Sequence, residues 1–343
     1  MRNLIEKLSC MRGISGFEYR ITPEIADMFR KYTDDVTIDT MGNIIAVKKC
    51  GKDNAPKIMI EAHCDEIGLM VMKITDEGFI TFTNVGGVDS RILPSSEVVI
   101  HGKEDVYGVI GIKPDCMQEN GKTAKMKSMA IDTGLSADKV KELISVGDSI
   151  TFPQSVGILG ENQFSGKSLD DRASLAAVLD VMKNLQAEKL DVDVYAVAAV
   201  QEEVGCRGAK TAAFAINPDI AIAIDVTHGI TPDNFKDAFD IGCGAVISVG
   251  PNLHPKLTKR LFKTAQEHDI KVETEVDGGD TGTDAWEIQV SQAGIATALL
   301  SLPLKYMHTS VETIAVSDAE AVSQLLSSFI KDLKGGDLSW LTF

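Results

Sequence analysis

The chain has no apolar run of the length needed to cross a bilayer, and its first residues, MRNLIEKLSCMRG, lack the apolar core of a secretion signal. Basic residues are in deficit: 34 Lys and Arg stand against 50 Asp and Glu, a formal net charge of −16. A phosphate backbone needs clustered Lys and Arg, so nucleic acid is excluded as a partner, and an anionic membrane surface would repel the chain. Close cysteine pairs are missing too. Cys10, Cys50, Cys64, Cys116, Cys206 and Cys243 show no CxxC spacing, which argues against a zinc–cysteine site and for reduced thiols in a cytoplasmic protein. Low-complexity segments and internal repeats are absent. What is present is ordinary for a soluble globular protein: 343 residues, 44% hydrophobic and 24% charged. That suffices for one large α/β domain, alone or with a smaller one.

The most informative stretch is 192–209, VDVYAVAAVQEEVGCRGA. Residues 194–200 form a nearly unbroken run of small apolar side chains, the pattern of a central parallel strand covered on both faces. Glu202 and Glu203 follow at once, then Gly205 and Gly208, which permit a sharp turn. Two acids at the carboxyl end of a buried strand are costly unless something positive meets them, and in open α/β sheets ligands bind at that end.

Around this stretch the pattern predicts two helices in 3–30 about a Gly-Ile-Ser-Gly turn, a hairpin over 35–47, and a strand at 57–62 (KIMIEA) delivering His63-Cys64-Asp65. From 68 to 160 the texture changes to strand-like runs (GLMVMKI, GFITFTNV, SEVVIHG, VYGVIGI, DSITF) with a weak helical stretch near 137–146. Helical spacing returns at Asp170 through DDRASLAAVLDVMKNLQ, which opens on an acidic turn. Strands are expected at 219–224, delivering Asp225, at 245–249, at 270–276 and, as the last, at 295–300, leading through Pro303 to His308. Helices are expected at 209–214, 255–268 and 317–333. The expected fold is α/β, a mixed central sheet with helices on both faces. Residues 1–67 and 161–343 form its catalytic domain, and 68–160 form an inserted β-rich domain.

Most polar residues of interest fall directly after apolar strands: His63 and Asp65, Glu202 and Glu203, and Asp225. His308 lies a short loop beyond another, and Asp170 and Asp171 open a helix. Each has an ordinary explanation alone: a hydrogen-bonded structural histidine, solvated glutamates on a loop, an Asp-Asp N-cap. If the strands are parallel, however, all collect at one sheet edge. Two histidines and several carboxylates there suit zinc, cobalt or manganese. The ligand count suggests two ions, which at about 3.5–4 Å apart activate a bridging water and stabilise the oxyanion it forms on a carbonyl. A carboxylate outside the ligand set would carry the proton to the leaving amine.

Six blocks in order carry a family resemblance: Ala62-His63-Cys64-Asp65-Glu66-Ile67-Gly68, Ser168-Leu169-Asp170-Asp171-Arg172, Gln201-Glu202-Glu203-Val204-Gly205, Asp225-Val226-Thr227-His228, Thr281-Gly282-Thr283-Asp284-Ala285 and Tyr306-Met307-His308. The chain resembles the TET-type metallo-aminopeptidases, the glutamyl, leucyl and deblocking aminopeptidases of which some have been labelled endoglucanases. The resemblance implies that His63 and Asp225 bind one metal, that Glu203 and His308 bind the second, and that Asp170 bridges them with Asp171 in support. It implies that Asp65 orients His63 and that Glu202 is the general base. It also implies that the inserted domain makes dimer contacts and that dimers assemble into tetrahedral dodecamers. Cys64 stands where many relatives carry methionine. In an extended segment it points away from its neighbours and reads as packing. Arg207, His228 and the 278–285 loop are candidate pocket walls, while His101, His254 and His268 read as structural.

The expected activity is removal of N-terminal residues from peptides with a free N-terminus, using two divalent ions per subunit (zinc or cobalt, with manganese acceptable) in a homo-oligomer. A deacylase or carboxypeptidase acting on N-acyl amino acids is the first alternative, because the same metal geometry serves it. A glycoside hydrolase needs only two carboxylates and has no use for His63, His308 or Asp225. An assembly protein without activity would not need the intact ligand set.

Overall fold

The computed structural model describes residues 1–111, 125–153 and 156–342; Cys116 and the end of the VYGVIGI run lie outside the described residues. The chain opens with helices α1 (Arg2–Ser9) and α2 (Thr22–Phe29), the hairpin β1 (Asp35–Ile38) and β2 (Ile44–Lys48), and strand β3 (Lys57–His63). Six short strands follow: β4 (Gly68–Ile74), β5 (Ile80–Val85), β6 (Glu97–His101), β7 (Asp105–Gly111), β8 (Ala130–Asp132) and β9 (Ser149–Thr151), with α3 (Ala137–Leu143) before the last. Next come β10 (Val156–Leu159), β11 (Gln163–Gly166), α4 (Leu169–Leu185), β12 (Asp193–Ala199), α5 (Arg207–Ile216) and β13 (Ile220–His228). The chain finishes with β14 (Ala245–Val249), α6 (Pro255–Glu267), β15 (Val272–Val276), α7 (Asp284–Gln289), β16 (Ala296–Leu304), β17 (Glu312–Ala315) and α8 (Val316–Asp332). No helix among the described residues is long and apolar enough to cross a membrane.

The main sheet has the order β1-β2-β12-β3-β13-β16-β14-β15. Its four middle strands, β12, β3, β13 and β16, run parallel, while β2 and β14 join antiparallel. The expected mixed α/β sheet is therefore present. Alternation along the strands sorts side chains between two helical layers. Ile58, Ile60, Val194, Ala196, Ile220 and Ile222 pack in the core shared with α1, α2, α4, α6 and α8. Met59, Val197, Ala199, Ala221 and Ala223 face α5 and α7, which meet them with Ala209, Ala212, Ala213, Ala285 and Ile288. Small residues on that face let the helices sit close.

Strands β4 to β9 close into a barrel of order β4-β5-β8-β7-β6-β9 with its own apolar core, including Leu69, Val71, Ile80, Ile100, Ile131 and Ile150. Strand β10 pairs instead with β11, and β11 with β17, in a separate small sheet.

Two boundaries differ from the sequence expectation. Strand β13 continues past Asp225 to His228, and β16 runs through Pro303, which pairs in register with Thr227. Pro303 is tolerated because β16 pairs with β14 only at Leu300 and Ser301, so beyond that point its missing N–H faces no ladder partner on that side. Strand β16 is also not the last, since β17 follows.

The loop after β3 is anchored by a buried ion cluster. Arg172, fully buried, donates to the carbonyls of Cys64, Leu8, Met11 and Gly13 and to Glu66 Oε1 (3.2 Å). Lys167 Nζ donates to Met11 O (2.8 Å) and Glu66 Oε2 (2.5 Å), and the Ser168 hydroxyl also donates to Glu66. Cys64 packs in the main core, as its place in an extended segment predicts. Burial alone would raise Glu66, but Lys167 and Arg172 bring its pKa down to about 2 from an ordinary 4.5. A depressed acid stabilises the fold fully above its unfolded pKa, and that contribution is lost as pH falls through the folded value. Urea unfolding should therefore find Glu66→Gln less stable by about 3–5 kcal/mol near neutrality, because two buried cations lose their counter-charge. The gap to wild type should shrink by about 3 kcal/mol as pH falls from about 4.5 towards about 2. A gap that stays constant across that window would contradict the assignment.

Candidate active site

The carboxyl ends of β3, β12 and β13 and the loop after β16 meet at one edge of the main sheet. His63 ends β3, and its parity with Met59 places it on the α5/α7 side, as parity with Ala221 and Ala223 places Asp225. Asp170 lies between the two histidines: Oδ1 is 3.2 Å from His63 Nε2 and Oδ2 is 3.3 Å from His308 Nε2. Glu203 Oε2 is 3.4 Å from His308 Nε2, and Glu202 Oε2 is 3.9 Å from His63 Nε2. Two overlapping donor groups emerge, His63 with Asp170 and Glu203, and His63 with Asp171 and Asp225, each within 4.8 Å. The structure thus brings together every residue that the six blocks single out for metal binding.

Asp65, fully buried, organises the neighbourhood. Its carboxylate lies 3.5 Å from His63 Nδ1 and accepts from the amides of Glu202 (3.1 Å) and Glu203 (3.2 Å) and from the Ser15 hydroxyl (2.6 Å). Burial opposes ionisation, but these contacts hold Asp65 below its usual range. Asp171 Oδ2 accepts from the His63 amide (3.3 Å), whereas Oδ1 has no hydrogen-bond partner. The Asp170–Asp171 peptide bond is cis. Ser168, Gln201, Cys206, Tyr306 and His308 all take left-handed backbone around the site, a conformation that non-glycine residues hold only where their surroundings enforce it.

The charge balance is uneven. Burial, then neighbouring carboxylates, push Asp171, Glu203 and Asp225 well above the usual carboxylate range, and Glu202 moves up for the same reason. Asp170 moves down, because His308 and His63 outweigh its burial. The two imidazoles are the only titratable cations bonded to this cluster among the described residues, and they do not neutralise it. Carboxylate oxygens and imidazole nitrogens that converge in negative excess are a donor set for divalent cations.

A cleft of about 560 Å³ opens over the cluster. His228, Thr281, Gly282 and Thr283 line it, as the sequence suggested. Arg207 does not: it is exposed, with its guanidinium directed to Gln201 Oε1 (3.4 Å). Glu275 and Asp277 stand in the wall, Glu275 accepting from Thr227 (2.5 Å) and Ser248 (3.2 Å). His101 and His268 are held by Asp105 and Asp332, and His254 caps α6 through Leu257 N, so all three have structural partners.

Sequence reading missed three contributors. Glu312, on the unforeseen β17, accepts from the amides of Leu169, Asp170 and His308, so one buried carboxylate positions the backbone of two site residues. Glu18, buried and pushed up to about 7 by burial and Asp65, accepts from Gln201 N. Gly87, from the loop between β5 and β6, packs so close that a Cβ there would lie 2.6 Å from His308 Nδ1. The only signal for these was an acid four residues after His308 and a Gly-Gly pair after a strand.

A sequence model of the M42 glutamyl aminopeptidase family matches residues 42–325. The lysyl aminopeptidase of Pyrococcus furiosus is 35% identical, with 98% of this chain and 98% of that protein aligned. Among solved structures, an aminopeptidase from the archaeon Desulfurococcus kamchatkensis has a TM-score of 0.90 at 36% identity and covers 96% of this chain and 94% of its own. The TET1 peptidase of Pyrococcus horikoshii, described as able to assemble into a tetrahedron or a large octahedral shell, has a TM-score of 0.86 at 31% identity, covering 97% and 99%. The matched stretch holds β3, the barrel, α4, β12, β13 and the His308 loop, and with them the whole carboxylate–imidazole cluster: the chain belongs to the M42 family of aminopeptidases, hydrolases of peptide bonds.

Proposed function

We propose that this aminopeptidase works with two divalent metal ions, zinc or cobalt with manganese acceptable, and that Glu202 is its general base. The observation that carries the reading is Asp170, whose two oxygens face two different histidines at 3.2 and 3.3 Å. That is the disposition of a ligand shared between neighbouring ions. His63 and Asp225 would hold one ion, and Glu203 and His308 the other. Such ions, when bound, polarise a scissile carbonyl and lower the pKa of an attacking water. Asp171 steadies the His63 backbone, and Asp65 holds the His63 ring and the Glu202 and Glu203 amides. Glu202 lines the cleft, and its raised pKa suits a group that takes the water's proton and passes it to the leaving amine.

Glu275 and Asp277 in the cleft wall favour a peptide whose N-terminal side chain is cationic, in keeping with the lysyl specificity named for the Pyrococcus furiosus relative. The barrel, within an inserted segment assigned to 68–160, carries exposed apolar side chains at Met72, Phe79, Tyr107 and Val109, which supports its use as a dimer contact. The shell described for the Pyrococcus horikoshii relative favours a homo-oligomer here too. The free thiols of the described cysteines suit a reducing, cytoplasmic setting.

Glu202→Gln should lower turnover by roughly 10²–10⁴-fold, the scale of a lost acid–base group, with elemental analysis still finding two ions per subunit. Near-wild-type turnover would remove Glu202 from the reaction. On matched substrates, lysyl amides should be cleaved faster than glutamyl amides and N-acyl amino acids not at all. Cleavage confined to the acylated set would mean a deacylase. Light scattering at micromolar concentration should report an oligomer, and a strict monomer would contradict the barrel contact.

A further inference from the structure

A second cluster lies beside the candidate metal centre, where Glu202, Cys206 and Asp284 bring a carboxylate oxygen, a thiol sulfur and another carboxylate oxygen within 4.8 Å of one another. Cys206 Sγ is 3.4 Å from Glu202 Oε1. In a tetrahedral zinc site with Zn–S near 2.3 Å and Zn–O near 2.0 Å, sulfur and oxygen ligands are about 3.5 Å apart. That pair therefore needs no rearrangement. Asp284 is 2% exposed, and its hydrogen-bond partner is another buried acid, the carboxyl of Glu61, with no cation bonded to the pair among the described residues. A buried carboxylate in that condition is costly, and Asp284 lies well above the usual range through burial, Glu61 and Glu202. Glu61, buried on the same side of the sheet, is likewise bonded to Asp284 and pushed well above the usual range by burial. Glu202 and Cys206 both line the cleft, so an ion entering with solvent reaches them.

We propose that Glu202, Cys206 and Asp284 form a further metal site, distinct from the two-ion centre, that takes a thiophilic divalent cation such as zinc and withdraws Glu202 from catalysis. Binding displaces protons with no change of oxidation state: the Cys206 S–H bond breaks as a sulfur–metal bond forms, any proton held on the Asp284 or Glu202 carboxyl is displaced in the same way, and the protons leave to solvent. The inhibitory consequence rests on Glu202 being the general base; the site itself does not. The geometry makes Glu202 a hinge between two ion environments, with Oε2 3.9 Å from His63 Nε2 and Oε1 3.4 Å from the thiol.

The test uses the full-length, metal-replete protein. Cobalt(II) added beyond the amount that saturates the main centre should produce a thiolate-to-cobalt charge-transfer absorption in the near ultraviolet. Cys206→Ser should abolish that absorption, and Asp284→Asn should weaken the binding that produces it. Excess zinc should lower wild-type turnover by roughly 10²-fold or more, while Cys206→Ser, referenced to its own rate before zinc addition, should lose little. Absence of the absorption in wild type, or its persistence in Cys206→Ser, overturns the site. An absorption that appears with turnover unchanged upholds the site and overturns the base role of Glu202 instead.

Discussion

The structure is governed by the cost of burying carboxylates. Glu66 and Asp171 are both buried, yet they titrate in opposite directions. Glu66 is held near 2 by Lys167 and Arg172, and Asp171 is driven well above its usual range by burial and by Asp225. The difference lies in what the chain supplies. Around Glu66 it supplies two cations and three backbone carbonyl anchors that bind the N-terminal segment to α4. Around Asp171, Glu203 and Asp225 it supplies two imidazoles, already committed to Asp170 and its neighbours. An acidic cluster that the chain leaves uncompensated, beside one that it compensates fully, is the arrangement expected where the missing charge comes from outside.

The sheet explains why these groups meet. Because β12, β3, β13 and β16 are parallel, their carboxyl ends lie on one edge, and the two-residue repeat decides which side of the sheet each side chain enters. His63, Asp225 and Glu61 share the α5/α7 side, where alanines on strands and helices leave room for polar groups close to the backbone. The barrel takes part as well. Gly87 lies against the His308 ring at a distance that no side chain would permit, so the β-rich segment shapes the cleft in addition to any contact it makes between subunits.

Much of this was legible in the residues. Apolar runs ahead of His63, Glu202 and Asp225 announce strands, although β13 continues past Asp225 to His228, and a shared edge follows from their being parallel. The extension of β16 through Pro303 was not legible, since whether a strand can run through a proline depends on the neighbour that its missing N–H faces, and that is tertiary information. Glu312 was illegible for a related reason: its role is to accept three amides from residues far away in the chain or four positions before it, and a carboxylate's acceptors leave no mark on local periodicity. Glu61, on β3, is a further omission and an avoidable one. An acid inside an otherwise apolar run of a central strand must be buried, and buried acids seldom stand without a purpose.

The adjacency of Glu202 and Glu203 carries the last point. Asp65 accepts both of their amides, so the pair is presented as a rigid unit, and the direction of each side chain separates their chemistry. Glu203 reaches His308 at 3.4 Å and is enclosed with Asp170. Glu202 stands 3.9 Å from His63, beyond hydrogen-bond reach, with its other oxygen against a thiol. A carboxylate beside the proposed ion centre but not bonded into its imidazole–carboxylate cluster would retain the freedom to accept and release a proton. The same freedom leaves it open to capture by a cation offered on its other side, and in this chain Cys206 and Asp284 stand there.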